Sequence, residues 1–362
     1  MAGTTVQQII GYEAMLGLVE TIKTGVPEDI IPPGFMTPGQ TVNGNQGKYI
    51  RVEGNRQTAR MVQYGSPSQK RNLKGLSEIG VTLIHSFENQ THDVNTLMKL
   101  QDYQNPTQQV MGRQEIDRQT VSFFQLFRNL RISAFFSMLT KGAIYFDGSG
   151  NLLPTSSGAV TTVDYAVPAV NKNQIDGIIG TTWATAATDI LGDVRAIKKK
   201  ARQTTGYPLR HAFYGADILG YLLTNTKIKE LINRNAGYQV VAAAGEIPQG
   251  LLGFEWHPID DAFFVDNDAS TQEWAGGDAL ILTPEPEASW FEWLQGTFPI
   301  PTNLGAVTDT GVQQTSNIAT AMGFFSYCKL IDDPVTVQQF AGDTMLPVLK
   351  VPSAIYICDV VP

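Results

Sequence analysis

A chain of 362 residues with 43% apolar side chains is long enough for two folded units with their own cores, and too apolar to be disordered. Only 17% of its residues are charged, which leaves little charge to hold copies apart and suits a surface that partners cover. The net charge of −8 argues against general nucleic-acid binding over the whole surface, and the lack of any apolar run of about 18 residues argues against a membrane-spanning helix.

Taken in chain order, the first residues show no basic segment followed by an apolar run, so no secretory signal is expected. A short helical pattern at 6–22 leads into Pro32-Pro33-Gly34, Pro38-Gly39, Gly44 and Gly47, the composition of an extended arm that borrows contacts. Residues 48–80 carry Lys48, Arg51, Arg56, Arg60, Lys70, Arg71 and Lys74 against Glu53 and Glu78, which is 7 − 2 = +5 and leaves −13 for the remainder. They read as a strand–loop–strand excursion too polar to bury itself. Two readings stand for its charge: a solvated basic loop, or a loop that docks on an acidic neighbouring copy.

A strand is predicted at 80–87 and a short helix from Thr91 or Asp93. Pro106 then precedes a long helix at 107–139, with Ile116, Phe123, Phe124, Phe127, Leu130, Phe135, Met138 and Leu139 mostly three and four apart in one stripe. Arg113, Glu115, Asp117, Arg118, Arg128 and Arg131 mostly take the other side. A helix of about 33 residues spans about 50 Å. An enzyme seldom needs such a rod, whereas a protein that repeats contacts along a shell or filament does.

The helix stops at Lys141-Gly142. Residues 143–146 and 160–167 then read as a hairpin or adjacent strands around Asp147-Gly148-Ser149-Gly150-Asn151, followed by a linker to about residue 180. From 181 to 301 the pattern is mixed α/β. Helices are predicted at 186–203, 217–224 and 226–233, and strands at 212–214, 251–257, 263–265 and 279–282. Strand pattern returns at 323–331 and 346–361, and no repeat of solenoid period occurs.

Chemistry-bearing motifs are sparse. His85, His92, His211 and His257 have no metal-pair spacing, and neither cysteine lies near a histidine. His257 in Trp256-His257-Pro258-Ile259-Asp260-Asp261 is the best metal or acid–base candidate, with a strand-end histidine beside a turn as the default. The Asp147 turn mimics the start of a calcium loop. It fails at Leu152, where glycine is needed, and at Gly158, where glutamate is needed, so a tight turn is expected. Gly148-Ser149-Gly150 lacks the third glycine of a dinucleotide motif, and no phosphate loop or GxSxG elbow occurs. The run Lys198-Lys199-Lys200-Ala201-Arg202 near a helix end suits the helix dipole and reads as a solvated face. Cys328 and Cys358 sit in apolar strand-like runs and read as two reduced buried thiols. No cofactor or catalytic residue is expected, and this nearly empty search favours a structural role.

The order of elements, with several local motifs, resembles the major capsid proteins of tailed bacteriophages, in particular the lambda-like capsid-E group with the Hong Kong ninety-seven fold. The matching residues are Arg131-Ile132-Ser133-Ala134, Leu139-Thr140-Lys141-Gly142-Ala143-Ile144 and Val163-Asp164-Tyr165-Ala166-Val167-Pro168. Further matches are Trp183 with Thr188-Asp189-Ile190-Leu191-Gly192-Asp193-Val194, and then Pro347-Val348 and Pro352. Ala166 stands where the group more often has glycine, and the helix is rich in phenylalanine, the marks of a divergent member.

The resemblance spans about residues 40–362 and implies an α+β fold of named parts. These are an N-terminal arm (1–47), an extended loop (48–80), a peripheral domain (81–180) with a spine helix at about 107–140, an axial domain (181–320), and C-terminal strands (321–362) returning to the core. It implies self-assembly into hexamers and pentamers of an icosahedral shell around double-stranded DNA. The partners implied are scaffolding protein, portal and, as the lambda-like group uses, a cement protein. The localisation implied is a virion capsid assembled in the bacterial host cytoplasm. The contact residues expected on the loop are Arg51, Arg56, Arg60, Lys70, Arg71 and Lys74. Some fold relatives crosslink a loop lysine to an asparagine, but no motif singles out Lys70 or Lys74, so no crosslink is expected. An encapsulin-like nanocompartment shell shares the fold and is the alternative; a soluble α/β hydrolase built on His257 with Asp260 or Asp261 is the remote one.

Overall fold

The computed structural model describes residues 31–32, 34–53, 75–92, 106–259, 263–265, 271–273, 276–301, 318–332 and 335–361. The helix expected at 6–22 and the tip of the basic excursion lie outside these residues, as does the stretch from Asp93 where a short helix is expected; Thr91 itself is in a strand.

The long helix, α1 (Pro106–Lys141), has 36 residues and carries Pro106 at its start, where a missing N–H costs nothing. Along 114–131 only Ile116, Thr120, Phe123 and Phe127 are buried, the single stripe the spacing predicts. From 132 to 139 every residue is buried. Here the helix end passes between two sheets. Phe135 meets Phe291 on one side and Phe213 on the other, at centroid distances of 5.8 and 6.0 Å. Ser133 and Ser137 tolerate burial because their hydroxyls donate to the carbonyls of Asn129 and Ala143. Arg131, expected on the solvent side, instead reaches the sheet. The chain leaves the helix at Gly142 with φ +69°, where a Cβ would come within 2.9 Å of Val167 Cγ2.

The larger sheet runs in the order β1 (Pro38–Val42), β14 (Phe291–Pro301), β17 (Val335–Leu349), β16 (Phe325–Asp332). β15 (Ile318–Met322) adds to β14, and β4 (Ile84–His92) to β17. β17 is its axis: Val335–Gly342 pairs with β16, Val337–Met345 with β4, and Met345–Leu349 with β14. Thr120 of α1 accepts from Gln339 of β17 (2.6 Å), whose amide oxygen lies 2.8 Å from Nε2 of His92. Helix and two strands are thereby joined by a buried polar chain whose members have partners.

Two expected strands change here. The single strand at 80–87 is two, β3 (Leu76–Thr82) and β4, because the chain moves from one sheet to another at buried Leu83. The strand at 346–361 is also two, since β17 starts at Val335 and the Pro352 turn separates it from β18 (Tyr356–Asp359) in the other sheet. β14 carries Pro299 and Pro301, which mask it in the sequence pattern.

β2 (Gln46–Val52) and β3 form an antiparallel ribbon, the base of the basic excursion. A small three-stranded sheet has β5 (Ala143–Phe146) between β6 (Leu152–Leu153) and β7 (Thr161–Asp164), so the expected hairpin gains a third strand. β7 ends early because Ala166 turns to φ +52°, with its N–H held by Asp164 Oδ1. A side chain in this region costs about 1–2 kcal/mol and glycine avoids it, less glycine's own entropy cost of about 0.5–1. Ala166 is exposed and packs little, so Ala166→Gly should raise stability by about 0.5–1 kcal/mol in urea denaturation; a loss would refute the strain.

The second sheet runs β10 (Glu255–Pro258), β9 (Leu209–Tyr214), β13 (Ala279–Pro284), β18, β8 (Lys172–Asn173). Alternate residues face two cores. Ala212, Tyr214, Leu280 and Leu282 pack under helices α2 (Ile190–Thr204), α3 (Ala216–Thr224) and α4 (Thr226–Asn233), while Phe213 and Ile281 face α1. α2 begins later than expected because Asp189 caps it, accepting from Gly192 N–H. A further helix, α5 (Ala236–Ala243), follows the Asn235 cap, and residues 251–253 form a 3-10 turn ahead of β10. The segment expected to be a linker is part of the core, since Ile175 and Ile179 are fully buried in it. Cys328 and Cys358 are buried and unbridged, and burial pushes the Cys328 thiol up to about 12 and raises that of Cys358 as well.

Candidate assembly surfaces and side-chain clusters

The ribbon of β2 and β3 buries one face, with Tyr49 inward, and presents Lys48, Ile50, Leu76 and Glu78 on the other, while Val52 at its end packs against the core. Of the loop residues expected to make contacts, Arg51 lies on β2 and is half-buried; Arg56, Arg60, Lys70, Arg71 and Lys74 fall outside the described residues. Lys48 Nζ is 2.9 Å from Glu78 Oε1, and both side chains are largely exposed, so this pair neutralises charge without holding much. The uncovered feature is apolar: Ile50 and Leu76, 57% and 58% exposed, on the same face of the ribbon. A two-stranded ribbon is marginal alone, and an apolar outer face marks it for cover by another surface. The charge pattern draws attention away from these two residues; period-two alternation through Lys48-Tyr49-Ile50 is the signal that finds them.

The face of the large sheet turned away from α1 carries a ladder of rings. His85 stacks on Phe298 (5.0 Å), Phe298 on Phe325 (4.9 Å), Tyr327 on Phe340 (5.1 Å) and Phe340 on Phe87 (5.7 Å). Gly342 lets them close up, since a Cβ there would sit 2.6 Å from Phe325 Cζ. Phe87 remains 40% exposed at the ladder's end.

The motifs that suggested chemistry resolve into packing, with one exception. Both carboxylate oxygens of Asp147 are occupied within its turn, Oδ1 by the N–H groups of Ser149 and Asn151 and Oδ2 by the Asn151 amide. These bonds, the Asn151 N–H first, hold its carboxyl below the usual range. Lys198 does not lie on a solvated face: its ammonium sits over the Phe254 ring at 3.7 Å and donates to the carbonyls of Leu252 and Gly253. Burial lowers it to about 8. Lys200 pairs with Asp176 at 3.2 Å. The motifs that carry the resemblance are anchors, since Tyr165 donates to the carbonyl of Pro347 and Trp183 Nε1 to Asp193.

His85 and His92 have structural partners, with His85 Nδ1 2.7 Å from the Thr344 hydroxyl. The exception is His257. Parallel pairing of β9 and β10 sets Glu255 beside His211 and His257 beside Phe213, and brings Nε2 of His257 to 3.1 Å from Nδ1 of His211. Burial lowers both imidazoles, His257 to about 4, so both are neutral near pH 7. Asp260 and Asp261, which a hydrolase reading needs beside His257, lie outside the described residues.

No family model and no curated protein matches the chain. Many solved structures do, and two of them show the likeness over the whole chain. One is a prophage protein of E. coli CFT073 assigned as a capsid protein, with 15% identity, a TM-score of 0.54, and coverage of 95% of this chain and 98% of that one. The other is a phage-related protein of Bordetella bronchiseptica RB50, with 12% identity, a TM-score of 0.52, and coverage of 95% and 96%. At these identities the likeness is one of fold, and it runs almost end to end in all three chains. The chain therefore has the α+β fold of phage capsid proteins that its order of elements resembles.

Proposed function

We propose that the chain is the major capsid protein of a tailed phage, a structural subunit that assembles into hexamers and pentamers of an icosahedral shell around double-stranded DNA. The observation that carries this reading is the end-to-end fold match with the prophage capsid protein. Support comes from the uncovered Ile50–Leu76 face of a ribbon too thin to stand alone. In this reading residues 1–47 are the arm, 48–80 the extended loop, 81–180 and 321–362 the peripheral part, and 181–320 the axial part, with β14 and β15 returning to the peripheral sheet. Scaffolding protein and portal are the partners during assembly in the host cytoplasm. The lambda-like subgroup, with its cement protein, is favoured by the Trp183–Asp193 and Tyr165 motifs. A net acidic balance keeps the wall from trapping packaged DNA. Individually weak contacts suffice when repeated around a closed shell.

Negative-stain microscopy and sedimentation of the purified protein, with and without a scaffold, test the reading. Shells, capsomers or tubes are expected; a strict monomer at high concentration overturns it. Shells that form without scaffold and retain an enzyme cargo would move the chain to the encapsulin class. Reversing Arg56 and Arg60 to glutamate should impair assembly and leave the subunit's thermal unfolding unchanged. Normal shells from that variant would remove the electrostatic role of the loop.

A further inference from the structure

We propose that His211, Glu255 and His257 form a binding site for a divalent transition metal of the zinc class, clipping the edge strand β10 to β9. The three residues each offer a ligand atom, and these atoms lie within 4.8 Å of one another. Nδ1 of His211 is 3.1 Å from Nε2 of His257 and 3.4 Å from Oε2 of Glu255. Ligand atoms on tetrahedral zinc, each about 2.0–2.2 Å from the metal, stand about 3.3–3.6 Å apart. The two spacings from His211 are therefore close to those between corners of one coordination sphere, and the remaining pair lies within 4.8 Å.

The surroundings are those of a built site. His211 has only 4% of its side chain exposed and is packed edge-on against Phe35 at 5.3 Å. His257 stacks at a tilt on Phe213 at 5.2 Å, so both rings are held by the aromatic core. The other nitrogen of His211, Nε2, is buried and lacks a hydrogen bond among the described residues, yet lies 3.5 Å from Oε2 of Glu285. That is ion-pair range without hydrogen-bond geometry. A shift of a few tenths of an ångström makes Glu285 the acceptor for Nε2–H, which fixes the tautomer that turns the Nδ1 lone pair to the metal. Glu255 is largely exposed, so the fourth position opens to solvent and a water completes the set. All donors sit on or beside strands, which hold geometry better than loops. A shared proton between His211 and His257 is the competing account of their approach, but it gives no role to Glu255.

The proposal is independent of the capsid reading, because binding is measured on the unassembled full chain. Protein treated with a chelator and desalted is titrated with zinc chloride by calorimetry, and bound metal is counted by elemental analysis. One zinc per chain is expected, with a rise in Tm that the chelator reverses. His257→Ala and Glu255→Gln, both at the open side, should bind about 100-fold more weakly or worse, and Glu285→Gln about tenfold more weakly. His85→Ala should bind as the parent does. A parent chain that takes up no stoichiometric zinc overturns the proposal, as does a His257→Ala chain that binds it undiminished. Cobalt gives a second readout that does not depend on the variants' stability: the parent should show the intense visible absorption of a four-coordinate site, and a weak octahedral spectrum would count against this ligand set.

Discussion

Replacing Phe35 by alanine should lower the stability of the chain by about 3–5 kcal/mol, read as a fall in the urea midpoint at unchanged slope. Phe35 comes from the Pro/Gly-rich stretch whose composition predicts an arm without a core. Its side chain is fully buried, and its ring meets those of Phe135, His211, Phe213, Trp290 and Phe291 at 5.3–6.2 Å. These partners come from α1, from β9 and from β14 with the turn before it. One ring thus closes the gap between the two sheets and the end of the spine helix. Its carbonyl also accepts from Trp293 Nε1, which fixes the chain just ahead of β1. A hole here cannot collapse easily, because the five rings around it are held by three different elements and a turn. A cost below about 1 kcal/mol would mean that the arm does not plug the core.

The second large effect is expected at Arg131. Its Nε lies 2.7 Å from Oδ2 of Asp343, whose side chain is 1% exposed and whose Oδ1 has no hydrogen-bond partner among the described residues. Arg131→Met leaves that carboxylate buried with its main partner gone, which costs about 3–5 kcal/mol. Removing both charges as Arg131→Met with Asp343→Leu should recover most of the loss, because the penalty lies in the orphaned charge rather than in the missing pair. Chemical denaturation of the four proteins in this cycle gives the coupling. Additive losses would show that the two groups act independently. The pair ties α1 to β17 across the buried face of the large sheet, so the single variant should also loosen the helix.

The parts of the fold that were legible in the sequence are local. The length of α1, its stop at Gly142 and the helices at 217–224 and 226–233 follow from periodicity and caps that neighbours do not override. Burial all round at 132–139 is not legible, because Ser133, Ser137 and the arginine before them look like a solvent side until a second sheet is placed there. The sheets are harder still. β17 mixes Gln338, Gln339, Asp343 and Thr344 with apolar residues, and the partners of these side chains come from α1, β4 and β16, far away in sequence. The candidate metal cluster joins residues 46 apart through a parallel pairing that needs three intervening helices to form. His257 could be singled out from its own neighbours; His211 and Glu255 could not. The basic loop, by contrast, announces itself by composition, while the apolar face at its base depends on which way each β-strand residue points.

The position of β17 bears on the order in which the chain acquires its shape as it leaves the ribosome. β4 pairs with β17 across 337 − 92 = 245 residues, and β14 and β16 await the same strand. Pairings of such separation form late, after the long intervening loop has been closed. A growing chain therefore holds the spine helix without the sheet it lies on, and offers no finished surface to a neighbour until residue 349 has emerged. In the capsid reading proposed above, this topology separates synthesis from shell building in time and keeps subunits from joining a lattice while still attached to the ribosome.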